Sequence, residues 1–254
     1  MLPGLKERLV GFINDPGYNP LKKEELALIF DIHSAEMAMF DNFLNELEED
    51  GFICKTKKGK IIAPKSMGYF VGKFISHRKG FGFVESDEEY TQDLFIPASE
   101  INGAMHNDRV MAEIVTPATD ERRAEGKIIK IIEREVTRIV GTFQPSKSFG
   151  FVVPDDKKFN KDIYIPKKFF SGAKANDKVV CQITVWPKED RKPEGKIVEV
   201  LGPKGLKEVE IHSIIKSHGL PEEFPKRVME EADHVAIPIP QEEIDRRVDL
   251  RDLK

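Results

Sequence analysis

With 254 residues, 40% of them hydrophobic and 33% charged, the chain is long enough for two or three compact units rather than one small core. Its apolar runs are only a few residues long, which excludes a bundle of membrane-spanning helices, and MLPGLKERLV lacks the basic and apolar regions of a secretory leader. The net charge of −4 excludes a uniformly basic coat, while Cys54 and Cys181, isolated and without CxxC spacing, predict a reducing, cytoplasmic setting and no zinc site.

Taken in chain order, Leu5, Leu9, Val10, Phe12 and Ile13 recur at helical spacing and stop before the turn residues Asn14-Asp15-Pro16-Gly17. Pro20 opens a second helix, LKKEELALIFDI, with Leu26, Ile29 and Phe30 on one face. Ser34 is the candidate N-cap of a third, whose stripe is Met37, Phe40, Phe43, Leu44 and Leu47 and whose end falls near Gly51. FICKTKKGKIIAP then reads as two short strands around a Lys-Lys-Gly turn. Three helices and a basic hairpin predict a winged helix over residues 1–67. Lys55, Lys57, Lys58 and Lys60 fall on the wing, where ammonium groups can reach phosphates. A solvated basic turn, or a protein-interaction domain, fits the same residues.

From residue 68 the pattern changes to short β segments between Gly, Pro, Asp and Asn turns, and an internal repeat appears. Gly72, Asp93, Asn107, Asp108, Val110, Gly126, Lys127 and Ile128 recur 69 residues later as Gly141, Asp162, Asn176, Asp177, Val179, Gly195, Lys196 and Ile197. Phe81-Gly82-Phe83-Val84 recurs at a spacing of 68 as Phe149-Gly150-Phe151-Val152. Each copy holds about five strands (VGKFIS, GFGFVE, DLFIP, DRVMAEIV and EGKIIKII in the first), which suits a small barrel of the oligonucleotide-binding (OB) type. The expectation is an α+β chain with OB barrels over 68–137 and 138–202. A connector over 203–254 follows, with helices at Lys207–Ser217 and after Pro221 and an extended tail stiffened by Pro238 and Pro240.

The copies differ in charge. Residues 69–137 hold 9 Lys and Arg against 13 Asp and Glu, whereas residues 138–202 hold 13 against 8, so the second copy is the natural anion-binding face.

The chemistry concentrates in KGFGFVESDEEYTQDLFIP. Residues two apart on a strand share a face, so Phe81 and Phe83 lie together opposite Gly82, and Phe95 joins them if DLFIP pairs alongside. Phe149, Phe151 and Tyr164 match them in the second copy. Such rings either fill the barrel or form an outward platform on which nucleobases stack, worth about 1–3 kcal/mol per base whatever the sequence. The close repeat and the glycines favour the platform. Arg78 and Lys79, and Lys147 in the second copy, are the candidate backbone contacts; Phe74 and Phe143, one strand earlier, are candidate core, and the acidic run Glu85 to Glu89 is read as a solvated edge.

Lys79-Gly80-Phe81-Gly82-Phe83-Val84 with Asp93-Leu94-Phe95-Ile96-Pro97 resembles the two RNA-binding motifs of cold-shock domains; Ser148–Val152 with Asp162–Pro166 is a looser version. The first-strand tryptophan of free-standing cold-shock proteins is missing, and Pro97 and Pro166 replace a histidine of their second motif. The order of parts, a winged helix, two such domains and a connector ending RRVDLRDL, resembles the N-terminal half of the bacterial ribonuclease R branch of the RNase II/R family.

That resemblance implies the RNA-binding half of a 3′-to-5′ exoribonuclease. The family's aspartate cluster, which holds Mg2+, begins just after the sequence that Asp249 and Asp252 match, so no catalytic or metal role falls on this chain and it is expected to be inactive alone. The implied partners are single-stranded or structured RNA, with the ribosome and other RNA-decay proteins as further candidates, and a monomer is expected. A stand-alone cold-shock-type RNA chaperone or regulator fits the same residues. A duplex-DNA transcription factor fits less well, because the third helix, AEMAMFDNFLNELEED, is acidic and would repel phosphates.

Overall fold

The computed structural model describes residues 4–86, 92–120, 122–188, 191–235 and 241–248. Two compact units divide the chain, Met1–Ser213 and Ile214–Lys254.

The first unit opens with helix α1 (Leu5–Asn14), a two-residue strand β1 (Leu21–Lys22), α2 (Lys23–Ile29) and α3 (Met37–Glu49). Strands β2 (Cys54–Lys55) and β3 (Lys60–Ile62) form the wing, and β1 pairs with β3 to give a three-stranded sheet in the order β1-β3-β2. The helical stripes close on one another: Leu9, Leu26, Leu44, Leu47 and Ile53 are fully buried, with Phe40 and Phe43 beside them. Two local expectations differ. The chain pairs as a strand before α2 rather than entering the helix at Pro20, and Ser34 starts a short 3-10 turn instead of capping α3. There the Glu36 carboxylate accepts from the His33 backbone N–H at 3.3 Å, which holds the entry turn.

Two barrels follow. The first contains β4 (Tyr69–Ser76), β5 (Gly82–Ser86), β6 (Leu94–Ile96), β7 (Arg109–Thr116) and β8 (Glu125–Glu133), closed in the order β4-β5-β6-β8-β7. The second contains β9 (Arg138–Pro145), β10 (Phe149–Pro154), β11 (Ile163–Pro166), β12 (Asp177–Val185) and β13 (Glu194–Pro203), with the same neighbours. In each the third and fifth strands pair in parallel and the others antiparallel, the five-stranded OB arrangement. Even the irregularities repeat. The β7–β8 ladder shifts register at Arg109/Val110, Met111/Ala112 and Ile114/Thr116, and β12–β13 at Lys178/Val179, Val180/Cys181 and Ile183/Val185, each 69 residues on. The repeated Asn-Asp pair has a local cause: Asn107 and Asn176 take φ of 71° and 66°, while Asp108 and Asp177 accept backbone N–H groups from Met105 and Lys174.

The winged helix is fastened to the first barrel. Lys130 Nζ on β8 donates to the carbonyls of Glu48 and Glu49 at 3.1 and 3.0 Å, at the carbonyl-rich C-terminal end of α3. Arg109 donates to the Asp50 carbonyl at 2.7 Å and lies 5.0 Å from the Phe52 ring. Cys54, Ile62 and Met111 bury together beneath this contact.

The barrels also touch one another. Met105, between β6 and β7, belongs to the core of the second barrel. His106 is 6% exposed, accepts the Ser76 N–H on Nδ1 at 3.3 Å and has Lys158 Nζ 3.2 Å from Nε2. Arg134 joins Asp108 at 2.7 Å and lies 4.3 Å from the Trp186 ring.

Beyond β13 come α4 (Lys207–Ser217), α5 (Lys226–Val235) and α6 (Gln241–Asp245). The first matches the helix expected there. The short helix α6 replaces part of the extended tail, while residues 236–240 and 249–254 lie outside the described residues, Pro238, Pro240, Asp249 and Asp252 among them. Among the described residues no helix is long and apolar enough to cross a membrane.

Candidate nucleic-acid interface

The interface begins at the β4–β5 hairpin. His77 N–H donates to the Phe81 carbonyl at 2.7 Å, Gly80 N–H donates to the His77 carbonyl at 2.8 Å, and Gly80 takes a φ of 95°, which a side chain would strain. This turn delivers Phe81 to the start of β5. Phe83 follows two residues on and pairs across the ladder with Phe95. The three rings meet, with centroids 5.8 Å apart for Phe81–Phe83 and 5.6 Å for each of the other two pairs.

Burial decides which way they face. Phe81, Phe83 and Phe95 are half-buried, whereas Val84, Leu94 and Ile96, which alternate with them, are fully buried inside the barrel. Gly82 faces inward, and a Cβ there would lie 2.4 Å from the ring of Phe74. Phe74 and Phe143 are the core aromatics, each fully buried. The alternative in which the motif rings fill the barrel interior is therefore overturned: Phe74 already fills it and displaces any side chain at Gly82.

The second barrel repeats the arrangement. Phe151 pairs with Tyr164 across β10 and β11. Phe149 lies 5.5 Å from Phe151 and 5.6 Å from Tyr164, all three half-buried, and a Cβ on Gly150 would lie 2.5 Å from Phe143.

The cations on these rings are not the ones the motif singles out. Arg78, Lys79 and Lys147 are exposed on the hairpin turns beside the platforms. Over the rings themselves stand Arg123, 5.6 Å from Phe83, and Lys192, 4.7 Å from Phe151. They come from the loop before the last strand of each barrel and are 69 residues apart, so the repeat spacing could have found them. A third missed residue is His77, whose ring stacks on Phe81 at 4.4 Å and 10°. Ser146 stands 69 residues later, and no motif pointed to this histidine.

Of the wing lysines, Lys57, Lys58 and Lys60 are exposed. Lys55 is drawn back onto α3, where its ammonium pairs with Glu48 at 3.0 Å and donates to Asn45 at 2.5 Å. Of the acidic run, Glu85 is exposed, and Asp87, Glu88 and Glu89 lie outside the described residues.

A cleft of about 450 Å³ lies between the barrels, lined by Ser76, Gly80, His106, Lys158, Asn160 and Pro193 among others. It runs from the turn that carries Phe81 to the residue beside Lys192, whose carbonyl accepts the Tyr164 N–H at 2.9 Å. Burial, and then the Lys158 ammonium, hold the His106 imidazole below its ordinary value. Burial raises the Asp108 carboxyl, with the Met105 N–H and Arg134 opposing. Burial also pushes the thiols of Cys54 and Cys181 up to about 11 and about 12, so neither is a thiolate nucleophile at neutral pH. Among the described residues no group of three or more His, Cys, Asp or Glu is placed to hold a metal ion.

Comparison with known proteins agrees with this geometry. The ribonuclease B OB domain matches residues 72–131 and the cold shock domain matches residues 151–225. Ribonuclease R of Thermotoga maritima is 32% identical over 97% of this chain, and that of Escherichia coli 31% identical over 92%; the chain covers 35% and 29% of their lengths. Among solved structures, Mycoplasma genitalium RNase R in complex with ribose methylated single-stranded RNA matches 72% of this chain and 29% of its own, with a TM-score of 0.59 at 19% identity. That likeness is one of fold. The chain spans about a third of the length of the curated relatives it matches, carries an OB and a cold-shock barrel, and belongs to the ribonuclease R family.

Proposed function

We propose that this chain captures single-stranded RNA for a 3′-to-5′ exoribonuclease of the ribonuclease R type and feeds the 3′ end towards a catalytic portion outside residues 1–254. The observation that carries the reading is the duplicated outward platform: three clustered rings per barrel, each with a cation over the ring of the central strand. Nucleobases of any identity can stack on such rings, while Arg78, Lys79, Lys147, Arg123 and Lys192 follow the sugar-phosphate path. A processive nuclease needs this tolerance, because it must hold whatever sequence arrives.

The length of the relatives supports a catalytic portion elsewhere, since the chain covers only 35% of the Thermotoga maritima protein. Magnesium belongs to that portion, and no residue here is assigned to it. Lys57, Lys58 and Lys60 would add phosphate contacts from the wing, with Lys55 contributing only if it leaves Glu48. The reading makes the protein a cytoplasmic monomer that meets structured RNA, ribosomes and other decay proteins through its substrate.

Binding of a fluorescent single-stranded oligomer, titrated at several salt concentrations, tests this. Affinity should fall steeply with salt, with a log–log slope of about −0.7 per phosphate contacted. The same chain, given magnesium and RNA, should leave the RNA intact. Salt-independent binding that also survives Phe81→Ala with Phe83→Ala would sink the reading. Strand annealing or melting without any effect on a nuclease would favour the stand-alone chaperone.

A further inference from the structure

The imidazole of His77 lies parallel to the Phe81 ring with centroids 4.4 Å apart, so one face of Phe81 is covered in the free protein. A base approaching that face meets His77 first. The histidine is not a loose flap: its own N–H and carbonyl close the hairpin through Phe81 and Gly80, and the Lys79 N–H donates to Nδ1 at 3.2 Å. That bond leaves the ring proton on Nε2, which has no hydrogen-bond partner among the described residues. The ring is half-buried, and the turn that holds it lines the cleft between the barrels through Gly80.

We infer that His77 is a nucleobase-binding residue of the first barrel, stacking a base on its outer face with Phe81 as support and offering Nε2–H to an acceptor on the base. This rests on the RNA-binding reading above and deepens it. The geometry favours a fixed ring over a displaced one, because swinging His77 away breaks the Lys79 bond and the parallel contact together. The second barrel has Ser146 at the matching place, so the two platforms differ at the hairpin: a ring covers Phe81 in the first, and none comes from that position onto Phe149 in the second. RNA should therefore be held base by base more firmly in the first barrel, and by charge more firmly in the second.

Fluorescence anisotropy of the 254-residue chain with an oligouridylate tests this, with circular dichroism to show that each variant is folded. His77→Ala should weaken binding about ten-fold, His77→Phe should restore most of the loss by keeping the stack, and an abasic ribose-phosphate oligomer should not distinguish His77→Ala from the parent. In a 13C-resolved spectrum, the Cε1–H signal of His77 should move upfield when the oligouridylate is added. Two failures are separable. If the parent chain does not bind, or Phe83→Ala and Phe151→Ala leave binding unchanged, the platform reading fails. If those variants weaken binding but His77→Ala stays within two-fold and the Cε1–H signal stays put, the inference about His77 alone fails. Tighter binding by His77→Ala would show that the ring occupies the place of a base, and would overturn it too.

Discussion

The two barrels share strand order, ladder irregularities, inward glycine and outward aromatic triad, yet they carry opposite charge. The first copy has four more acidic than basic residues and a histidine stacked on its platform; the second has five more basic than acidic residues and none. What is held constant is geometry, and what varies is the charge around the platform and the ring that covers it. Stacking tolerates a negative surround because it acts at contact, whereas a basic face works at a distance and weakens with salt. On the proposed function, the pair divides one task between a short-range and a long-range grip.

Perturbing equivalent positions tests that division. Phe74→Ala and Phe143→Ala should each cost about 4 kcal/mol, the usual range for emptying a buried phenylalanine site, with hydrogen exchange locating the loss in the matching barrel. Similar losses support equal cores, while a large imbalance would end the analogy. Next, Phe83→Ala and Phe151→Ala should each weaken oligomer binding by about 1–3 kcal/mol while leaving unfolding nearly unchanged. A loss confined to one of them would mean that a single barrel holds the strand.

A gentler perturbation is pH. His106 is held below its ordinary 6.5 by burial, so the unfolded chain takes up a proton first as pH falls. Its contribution is present above about 6.5 and is lost as pH drops towards the folded value. Stability of the barrel junction should decline over that window in the parent chain and decline less in His106→Asn, as read by thermal unfolding at stepped pH. Smallest of all, Arg123→Gln and Lys192→Gln should each cost about 0.5–1 kcal/mol of RNA binding and reduce the salt slope by about 0.7. The larger change is expected at Lys192, which lies in the barrel of net positive charge.

Much of this was legible because it repeats. Spacings of 69 and 68 residues expose the two barrels, their strands and the repeated Gly82 and Gly150. Phe81, Phe83 and Phe95 are legible as a cluster from period two, and the repeat and the glycines favour an outward direction without fixing it. That depended on Phe74 filling the barrel against Gly82, a contact between strands. Strand β1 escaped notice because two residues carry no period, and only pairing with β3 makes them a strand. Ser34 looked like a cap by residue type, yet the chain makes a 3-10 turn there, and side-chain preference does not choose the turn. Arg123 and Lys192 obey the repeat spacing but sit outside the aromatic motif, and motif reading passed over them. His77 has no counterpart to draw the eye, and its stacking comes from the hairpin closing on itself.

Met105 leaves the first barrel to help fill the second. A domain that arose by copying begins as two interchangeable parts, each able to survive the loss of the other. Once a side chain of one has become filling for its neighbour, excising either leaves a hole in one piece and a greasy spike on the other. The duplication then works as a ratchet: gene rearrangements can carry the pair together into new proteins, but separating them would require the neighbour's core to be rebuilt first.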